Sequence, residues 1–268
     1  MDETRDDIVI KIRGLRKRLG GRDVLNGVDL DVRRGETLSI IGVSGCGKTT
    51  LLRHIIGLVR PDSGSILVEG KELTAAKDRR LEEIRRLFGM VFQSAALLNS
   101  MTVKENVALP LRELDKHLKE AEISKIVAEK LALVRMTGTE DLMPAELSGG
   151  MRKRVGLARA IVRNPRVILY DEPTTGLDPV ICATIHRMIT DMQKKLGVTS
   201  IVITHDMHGA MQTSDHIAML HDGAIVAYGT PDEIGASVHP AVRQLLDGRI
   251  EGPLLDDPIV QEDAADVG

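Results

Sequence analysis

Apolar and polar residues follow two different patterns in the segments of this chain that favour strands. The segments "IVIKI" from Ile8 and "VDLDV" from Val28 alternate between the two classes, whereas "TLSII" at Thr37, "VILY" at Val167 and "SIVIT" at Ser200 are almost continuously apolar. Alternation is typical of antiparallel strands with one wet face, and continuous apolar runs are typical of strands buried on both faces. The pattern predicts a small antiparallel sheet and a buried parallel sheet.

The region between about residues 95 and 163 has almost no strand pattern. Its segment "HLKEAEISKIVAEKLALV" from His117 has helical spacing instead. Together with the strand, loop and helix order elsewhere, this predicts an α/β domain over residues 1–246 with a helical subdomain inserted at roughly 95–163. Residues 247–268 turn to proline, glycine and acid, which predicts a C-terminal extension without its own core.

Composition and charge narrow the class of protein. The 268 residues are 43% hydrophobic, which is enough to bury a core, and they carry a net charge of −3. With 1% aromatic residues and no tryptophan, this charge gives no expectation of a nucleic-acid partner. No apolar run approaches the roughly 18 residues that span a bilayer, and the start "MDETRDD" is acidic. We therefore expect a cytoplasmic chain in which Cys46 and Cys182 are reduced.

The segment "GVSGCGKT" fits the phosphate-binding pattern G-x-x-x-x-G-K-[ST] in full. It follows the apolar strand segment at Thr37 and precedes the apolar helix segment "TLLRHIIGL". Its glycines let successive N–H groups surround phosphate oxygens, Lys48 reaches the β and γ phosphates, and the Thr49 hydroxyl ligates Mg²⁺. The predicted ATP-binding residues of this loop are Gly42, Ser44, Gly45, Cys46, Gly47, Lys48, Thr49 and Thr50.

Polar residues follow three further apolar strands. Asp171 at the end of "VILYD" is predicted to hold the Mg²⁺ shell, and Glu172 to orient the attacking water or accept its proton. Gln93 closes the strand "FGMVFQ", where its amide is predicted to contact Mg²⁺ and the water. His205 follows "SIVIT", at the sheet edge where ligands gather, and is predicted to sense the γ-phosphate. The structural alternatives are acids in a turn, an exposed glutamine and a structural histidine.

The segment "ELSGGMRKRVGLARA" predicts a helix with an unusual charge distribution. Ser148 is a suitable N-cap, so the helix should begin near Gly149. Its first turns carry Arg152, Lys153 and Arg154, although a helix N-terminus is already positive. This arrangement favours an anionic ligand at the helix start, and the alternative is a capped helix with solvated cations.

The order and setting of these motifs resemble those of ABC-type ATPase domains over roughly residues 8–246. The motifs are the phosphate loop at Gly42, Gln93, "LSGGM" at Leu147, "VILYDEP" at Val167, "GLDP" at Gly176 and His205. The resemblance implies a P-loop NTPase fold with a RecA-like parallel-sheet core, an antiparallel β subdomain and an inserted α-helical subdomain.

The same resemblance implies that two copies of the chain form a head-to-tail dimer around ATP. The "LSGG" helix of one copy would point at the γ-phosphate held by the phosphate loop of the other. Ser148, Gly149 and Gly150 would thereby complete a shared site, and Asp178 of "GLDP" is assigned to the same nucleotide.

Longer segments are similar to the cytoplasmic ATPases of Mla/Mce-type lipid transporters. They are "LMPAELSGGM" with Met151, "MTVKENVALPLRE", "DEPTTGLDP" and "VRQLLDGRIEGP". This resemblance implies an ATPase homodimer at the cytoplasmic face of the inner membrane of a Gram-negative bacterium. It would drive an integral-membrane permease that moves phospholipid between the inner and outer membranes. An Mce-domain lipid-binding protein and a small STAS-domain protein are the further implied partners.

One position departs from the ABC pattern. Leu19 stands where an aromatic ring usually stacks on adenine, and the sequence offers only Arg18 or Arg22 as substitutes. We therefore expect weak discrimination between adenine and guanine nucleotides. An exposed basic turn is the alternative for the two arginines.

Two other functions fit the same motifs. One is the ATPase of an importer for a small polar solute, and the other is an ABC ATPase that assembles a soluble complex. The apolar-rich segment "SAALLNSMTVKENV" after Gln93 favours a transporter, because it suits a groove that grips a permease helix. In the extension, the pairs Leu254–Leu255 and Ile259–Val260 each follow a proline, which favours a docking segment that holds the assembly together over a merely acidic tail.

Overall fold

The computed structural model describes residues 7–254. It forms two compact units, Met1–Arg85 with Ile201–Gly268 and Arg86–Ser200. The second unit contains the expected helical subdomain together with residues 86–94 before it and 164–200 after it, and the predicted subdomain bounds stay a prediction. The Ile259–Val260 pair lies outside the described residues, so its predicted docking stays a prediction.

The strands are β1 (Ile8–Leu19), β2 (Arg22–Arg33), β3 (Thr37–Ile41), β4 (Ser63–Val68), β5 (Lys71–Glu72), β6 (Phe88–Val91), β7 (Val167–Asp171), β8 (Thr199–Ile203), β9 (His216–His221) and β10 (Ala224–Gly229). The α-helices are α1 (Lys48–Ile55), α2 (Asp78–Arg85), α3 (Val103–Leu114), α4 (Glu120–Leu133), α5 (Gly149–Ile161), α6 (Pro179–Leu196), α7 (Met207–Thr213), α8 (Pro231–Gly235) and α9 (Pro240–Asp247). A 3-10 turn spans Pro144–Glu146.

Two sheets confirm the α/β fold class and the two predicted strand types. The antiparallel sheet has the order β2-β1-β4-β5, and in β2 the buried Val28, Leu30 and Val32 alternate with more exposed aspartates. The other sheet has the order β10-β9-β3-β8-β7-β6. In it β3 runs parallel to β9 and β6 runs parallel to β7, while β10 is antiparallel to β9. β3 and β8 are buried at every position, as their continuous apolar pattern indicates.

Residues 95–163, all of them described, contain α3, α4 and α5 and no strand. The first of these helices begins with a capping box, in which Thr102 Oγ1 accepts a bond from the Glu105 N–H and Glu105 Oε2 accepts one from the Thr102 N–H. Asn106, one residue on, is fully buried. Its side chain bonds the N–H and the carbonyl of Leu98 at 2.8 and 3.1 Å, so it fixes the apolar loop that precedes α3.

The chain continues to pack beyond α9, further than the predicted start of the extension. Gly248 ends this helix in a left-handed conformation and turns the chain back. The buried Gln244 side chain accepts a bond from the Leu254 N–H at 2.8 Å and donates to the Arg249 carbonyl at 3.3 Å. Leu254 is 3% exposed in an apolar cluster with Val242. Leu254 therefore belongs to the core rather than to a free extension. A truncation that tests the predicted docking of the extension has to keep Leu254, because a chain that ends at Gly252 also lacks this core residue.

We predict that Leu254→Ala lowers the free energy of unfolding by about 3 kcal/mol, since it leaves a cavity in the core of the first unit. The matched control is Ile250→Ala, where the side chain is 82% exposed and the loss should stay within about 0.5 kcal/mol. Urea unfolding of the two purified variants measures both values. Equal stability of the Leu254 and Ile250 variants would contradict the docking of this segment.

Candidate functional site

The phosphate loop connects β3 to α1 in the first unit. Gly42 and Gly47 have φ values of 153° and 106°, which L side chains rarely adopt. A Cβ atom at Gly42 would lie 2.4 Å from the Leu220 carbonyl oxygen, and one at Gly47 would lie 2.8 Å from the Val24 carbonyl oxygen. Glycine is therefore required at both positions for the loop to turn tightly over the sheet edge and present its N–H groups.

Lys48 places its ammonium group inside this loop. The side chain is 7% exposed, and Nζ donates to the carbonyl oxygens of Gly42 and Val43 at 2.8 Å each. The Cys46 thiol is buried and lies 4.0 Å from Nζ. The side chain of Cys46 thus packs within the loop, so its predicted contact with a nucleotide, which stays a prediction, would fall to its main chain. Thr49 and Thr50 are partly exposed in the first turn of α1.

His205 lies at the same sheet edge of the first unit as the phosphate loop. The Thr204 N–H donates to the Ile40 carbonyl at 3.2 Å, which aligns the ends of β8 and β3. His205 itself is exposed, and the next residue, Asp206, caps α7 through a 2.9 Å bond from the Gly209 N–H. A short capped helix thus holds the histidine at the edge where the loop begins.

In the second unit, the ends of β6 and β7 bring Gln93 and the two acids to one edge. Val91 pairs with Tyr170, so Gln93, just beyond β6, and Asp171, the last residue of β7, lie at neighbouring strand ends. Gln93 is exposed, and Asp171 and Glu172 are half-buried. Glu172 has a left-handed φ of 48°, and its Oε2 accepts a 3.2 Å bond from Thr175 Oγ1. A carboxylate fixed in this way has a defined direction, as a water-orienting group requires.

The predicted helix start at Gly149 is confirmed, because α5 begins there with Ser148 as N-cap. Ser148 Oγ accepts a 3.3 Å bond from the Met151 N–H and is exposed. Cβ atoms at Gly149 and Gly150 would lie 3.3 Å from Leu177 Cδ2 and 2.8 Å from Ile181 Cγ2, respectively. The glycines therefore let α5 pack closely against the start of α6.

Asp178 has a structural contact of its own in this segment. Its Oδ1 accepts bonds of 3.0 Å from the Val180 and Ile181 N–H groups and so caps α6. The carboxylate is exposed. The cap is compatible with the predicted nucleotide role, which stays a prediction.

The three cations of α5 are not equivalent. Arg152 is exposed and donates to the Leu147 carbonyl, Arg154 is half-buried, and Lys153 is 7% exposed. Burial lowers the pKa of Lys153, against the opposing charges of Glu172 and Asp171. From the sequence the three cations were considered together, and the burial of Lys153 was not predicted. The helical spacing could have indicated it, because Lys153, Leu157 and Ile161 recur at intervals of four residues on the buried face of α5.

Leu19 ends β1 and is 46% exposed. The neighbouring Arg18 donates from Nε to the Gly21 carbonyl at 2.8 Å, within the turn that leads to β2. The alternative of an exposed basic turn therefore accounts for the position of Arg18.

The proposed Mg²⁺ donors have suitable chemistry. Thr49 supplies a hydroxyl, Asp171 a carboxylate and Gln93 an amide oxygen, and Mg²⁺ prefers such hard oxygen ligands. Among residues 7–254, no group of three or more His, Cys, Asp or Glu side chains would hold a metal ion. An Mg²⁺ ion that also binds nucleotide phosphates and water needs only one or two protein ligands. No helix within residues 7–254 has the length and apolarity needed to cross a bilayer.

Comparison with known proteins identifies the relatives of this chain. Residues 25–175, more than half of the chain, match the family described as ABC transporter. The chain is 43% identical over 247 residues to the probable ribonucleotide transport ATP-binding protein mkl of Mycobacterium leprae, covering 92% of this chain and 71% of the relative. It is 41% identical over 246 residues to the intermembrane phospholipid transport system ATP-binding protein MlaF of Escherichia coli K12, covering 92% and 91%.

A solved structure shares the fold. It is described as the dimeric, post-hydrolysis state of the ATP-binding cassette MJ0796 bound to ADP and Pi. The TM-score is 0.76 at 32% identity, covering 83% of this chain and 98% of that chain.

Proposed function

This chain belongs to the ABC transporter ATP-binding family, and on that premise we propose that it powers an inner-membrane transporter that moves phospholipid between the inner and outer membranes. The chain is an ATPase. The observation that carries the phospholipid proposal is the match with MlaF, which extends over 92% of this chain and 91% of the relative.

A second candidate is an importer of a small polar solute. It is supported by the similarity to mkl, which is named for ribonucleotide transport. The identities of 43% and 41% do not separate the two candidates. The segments "MTVKENVALPLRE" and "VRQLLDGRIEGP", which resemble those of Mla/Mce-type ATPases, favour the first.

Catalysis is proposed to rest on three groups of this chain. Lys48 and the loop N–H groups bind the phosphates, and the Glu172 carboxylate, directed by Thr175, orients the attacking water and accepts its proton. His205 contacts the γ-phosphate, and Gln93 the water. Mg²⁺, when bound by Thr49, Asp171 and Gln93, would neutralise charge on the phosphates.

A second copy of the chain is proposed to complete each site. Ser148 is exposed at the start of α5, where unpaired N–H groups and the helix dipole favour a phosphate. Because α1 of the phosphate loop binds the nucleotide of its own copy, we infer that α5 binds the nucleotide of the other copy. The contacting residues would be Ser148, Gly149, Gly150 and Asp178. The described dimer of the related cassette MJ0796 supports dimerisation.

The loop after Gln93 is proposed to bind the membrane permease. Phe92, directly before Gln93, and Leu98 in the loop are 40% and 42% exposed, while the Asn106 side chain fixes the loop through its bonds with Leu98. Exposed apolar side chains on a fixed loop suit a partner helix in a groove. An Mce-domain protein, a small STAS-domain protein and a position at the cytoplasmic face of the inner membrane follow from the resemblance to Mla/Mce-type ATPases.

We predict that Glu172→Gln binds Mg-ATP normally but hydrolyses it at least about 100-fold more slowly, because the amide accepts no proton from water. Lys48→Ala should fail earlier, at nucleotide binding. Phosphate release and the binding of a fluorescent ATP analogue separate these steps. Glu113→Gln, the same change at an exposed position of α3, serves as the control and should keep full activity. Near-normal turnover in Glu172→Gln would overturn the assignment.

The shared site predicts complementation between two inactive variants. Ser148→Arg should be inactive because its side chain blocks the γ-phosphate of the other copy, although its own phosphate loop is intact. Mixing it with Lys48→Ala should restore one working site in each mixed dimer. Phosphate release is measured before and after mixing, with each variant alone as control. No gain on mixing would contradict sharing across the dimer.

The transported substrate is tested in the source organism with Glu172→Gln in place of the native chain. We expect the amount of phospholipid in the outer leaflet of the outer membrane to change, measured by labelling of exposed lipid, while uptake of radiolabelled ribonucleotides is unchanged. Loss of ribonucleotide uptake with normal lipid distribution would establish the second candidate instead. If neither changes, both transport assignments fail.

A further inference from the structure

Lys153 has a buried ammonium group that donates to two main-chain oxygens. Its Nζ donates to the carbonyl oxygen of Gln93 and, at 3.3 Å, to that of Glu172. The side chain comes from the second turn of α5 and is 7% exposed. One cation therefore joins this helix to the ends of two strands within the second unit.

The two carbonyl groups belong to strained segments. Glu172 has a φ of 48°, and Ala95 and Ala96, in the loop after Gln93, have φ values of 61° and 47°. L residues adopt this left-handed conformation at a cost in free energy, so surrounding contacts have to maintain it. Lys153 provides such a contact at Glu172.

Arg159, two turns along α5, provides the corresponding contacts in the loop. Its guanidinium donates to the carbonyl oxygens of Ala95 and Ala96 at 2.7 and 2.8 Å. Gly156 lies between the two cations on the helix, and a Cβ atom there would lie 3.2 Å from the Ala95 Cβ. α5 thus binds the main chain of the loop through both Lys153 and Arg159. Of these two cations, Lys153 also donates to the Glu172 carbonyl.

Stability alone gives little reason for a lysine at this position. Burying an ammonium group removes its hydration, and apolar residues of similar size often replace buried charges without loss of stability. The neighbouring Glu172, Asp171 and Cys182 favour the charged form, whereas burial disfavours it. What a cation supplies here, and a methionine does not, is two directed bonds to the main chain of the proposed reaction groups.

We propose that Lys153 is a positioning residue for ATP hydrolysis, which fixes the main chain of Glu172 relative to Gln93 and so directs the Glu172 carboxylate. This proposal rests on the role of Glu172 in the proposed function. Ser148 caps the same helix, and this helix start is assigned to the nucleotide of the other copy. Lys153 therefore also connects that helix start with Glu172, which acts on the nucleotide of its own copy.

The test uses the full chain with Lys153→Met. Displacement of a reacting group by about 1 Å costs on the order of 100-fold in rate, so we expect kcat to fall by about 30-fold or more. The KM for Mg-ATP should change by less than about threefold, and the urea midpoint should not fall. Lys153→Arg, which keeps the cation and its donors, should recover kcat to within about fivefold of the native chain.

Lys130→Met is the matched control. Lys130 is another lysine of the same unit, 8% exposed, and it donates to Asn164 Oδ1 at 2.6 Å. Its loss removes a buried ammonium group without touching Glu172, so kcat should stay within about twofold. Native kcat in Lys153→Met, or equal losses in the two methionine variants, would overturn the proposal.

A double variant separates positioning of Glu172 from any independent effect. If Lys153 acts through the Glu172 carboxylate, Lys153→Met should slow Glu172→Gln by less than about threefold further. Full additivity of the two losses would overturn the proposal. If Glu172→Gln has a low kcat and Lys153→Met a native kcat, only this inference about Lys153 is wrong. If Glu172→Gln itself has a native kcat, the catalytic role of Glu172 in the proposed function is wrong.

Lys153→Gln keeps the test decisive if the methionine variant does not fold. Its amide remains polar and retains N–H donors, but it is shorter and uncharged, so it should not hold both carbonyl groups. We expect kcat about tenfold below native with little change in KM. Native kcat in this variant would equally overturn the proposal.

Discussion

Burial of the strands decides where chemistry is possible in this fold. β3 and β8 are buried at every position, and β7 is buried at every position before Asp171. A charged side chain within such a strand would lose its hydration without a partner. The groups proposed for binding and hydrolysis therefore lie just beyond strand ends, where the main chain turns and N–H and carbonyl groups become available. The phosphate loop, His205, Gln93 and Glu172 all occupy such positions.

Turns at strand ends need support, because their conformations are not those that most residues prefer. In the phosphate loop glycine supplies the freedom, since a Cβ atom at Gly42 or Gly47 would meet main-chain oxygens. In the second unit, non-glycine residues adopt left-handed conformations, and α5 supplies the support through Lys153 and Arg159. In the first unit glycine residues thus permit the unusual backbone conformations, whereas in the second unit hydrogen bonds from α5 maintain them.

The parts of the site that sequence predicted are those in which a local pattern sets the structure. The phosphate loop needs only its glycines, lysine and hydroxyl at fixed spacing between a strand and a helix, and the cap at Ser148 depends on residues within one turn. The long-range contacts were not predicted. The bond from Leu254 to Gln244 depends on a turn at Gly248, and the bonds of Lys153 depend on how α5 packs over two strand ends that are distant in sequence.

Lys153 also changes the meaning of the charge pattern at the start of α5. The sequence favoured an anion in front of the helix because three cations follow Ser148. Arg152 bonds the Leu147 carbonyl, and Lys153 bonds carbonyl groups of its own unit. These two cations therefore have partners that do not involve a nucleotide. The case for a phosphate at this helix start rests instead on the exposed Ser148, the two glycines behind it and the N–H groups of the first turn.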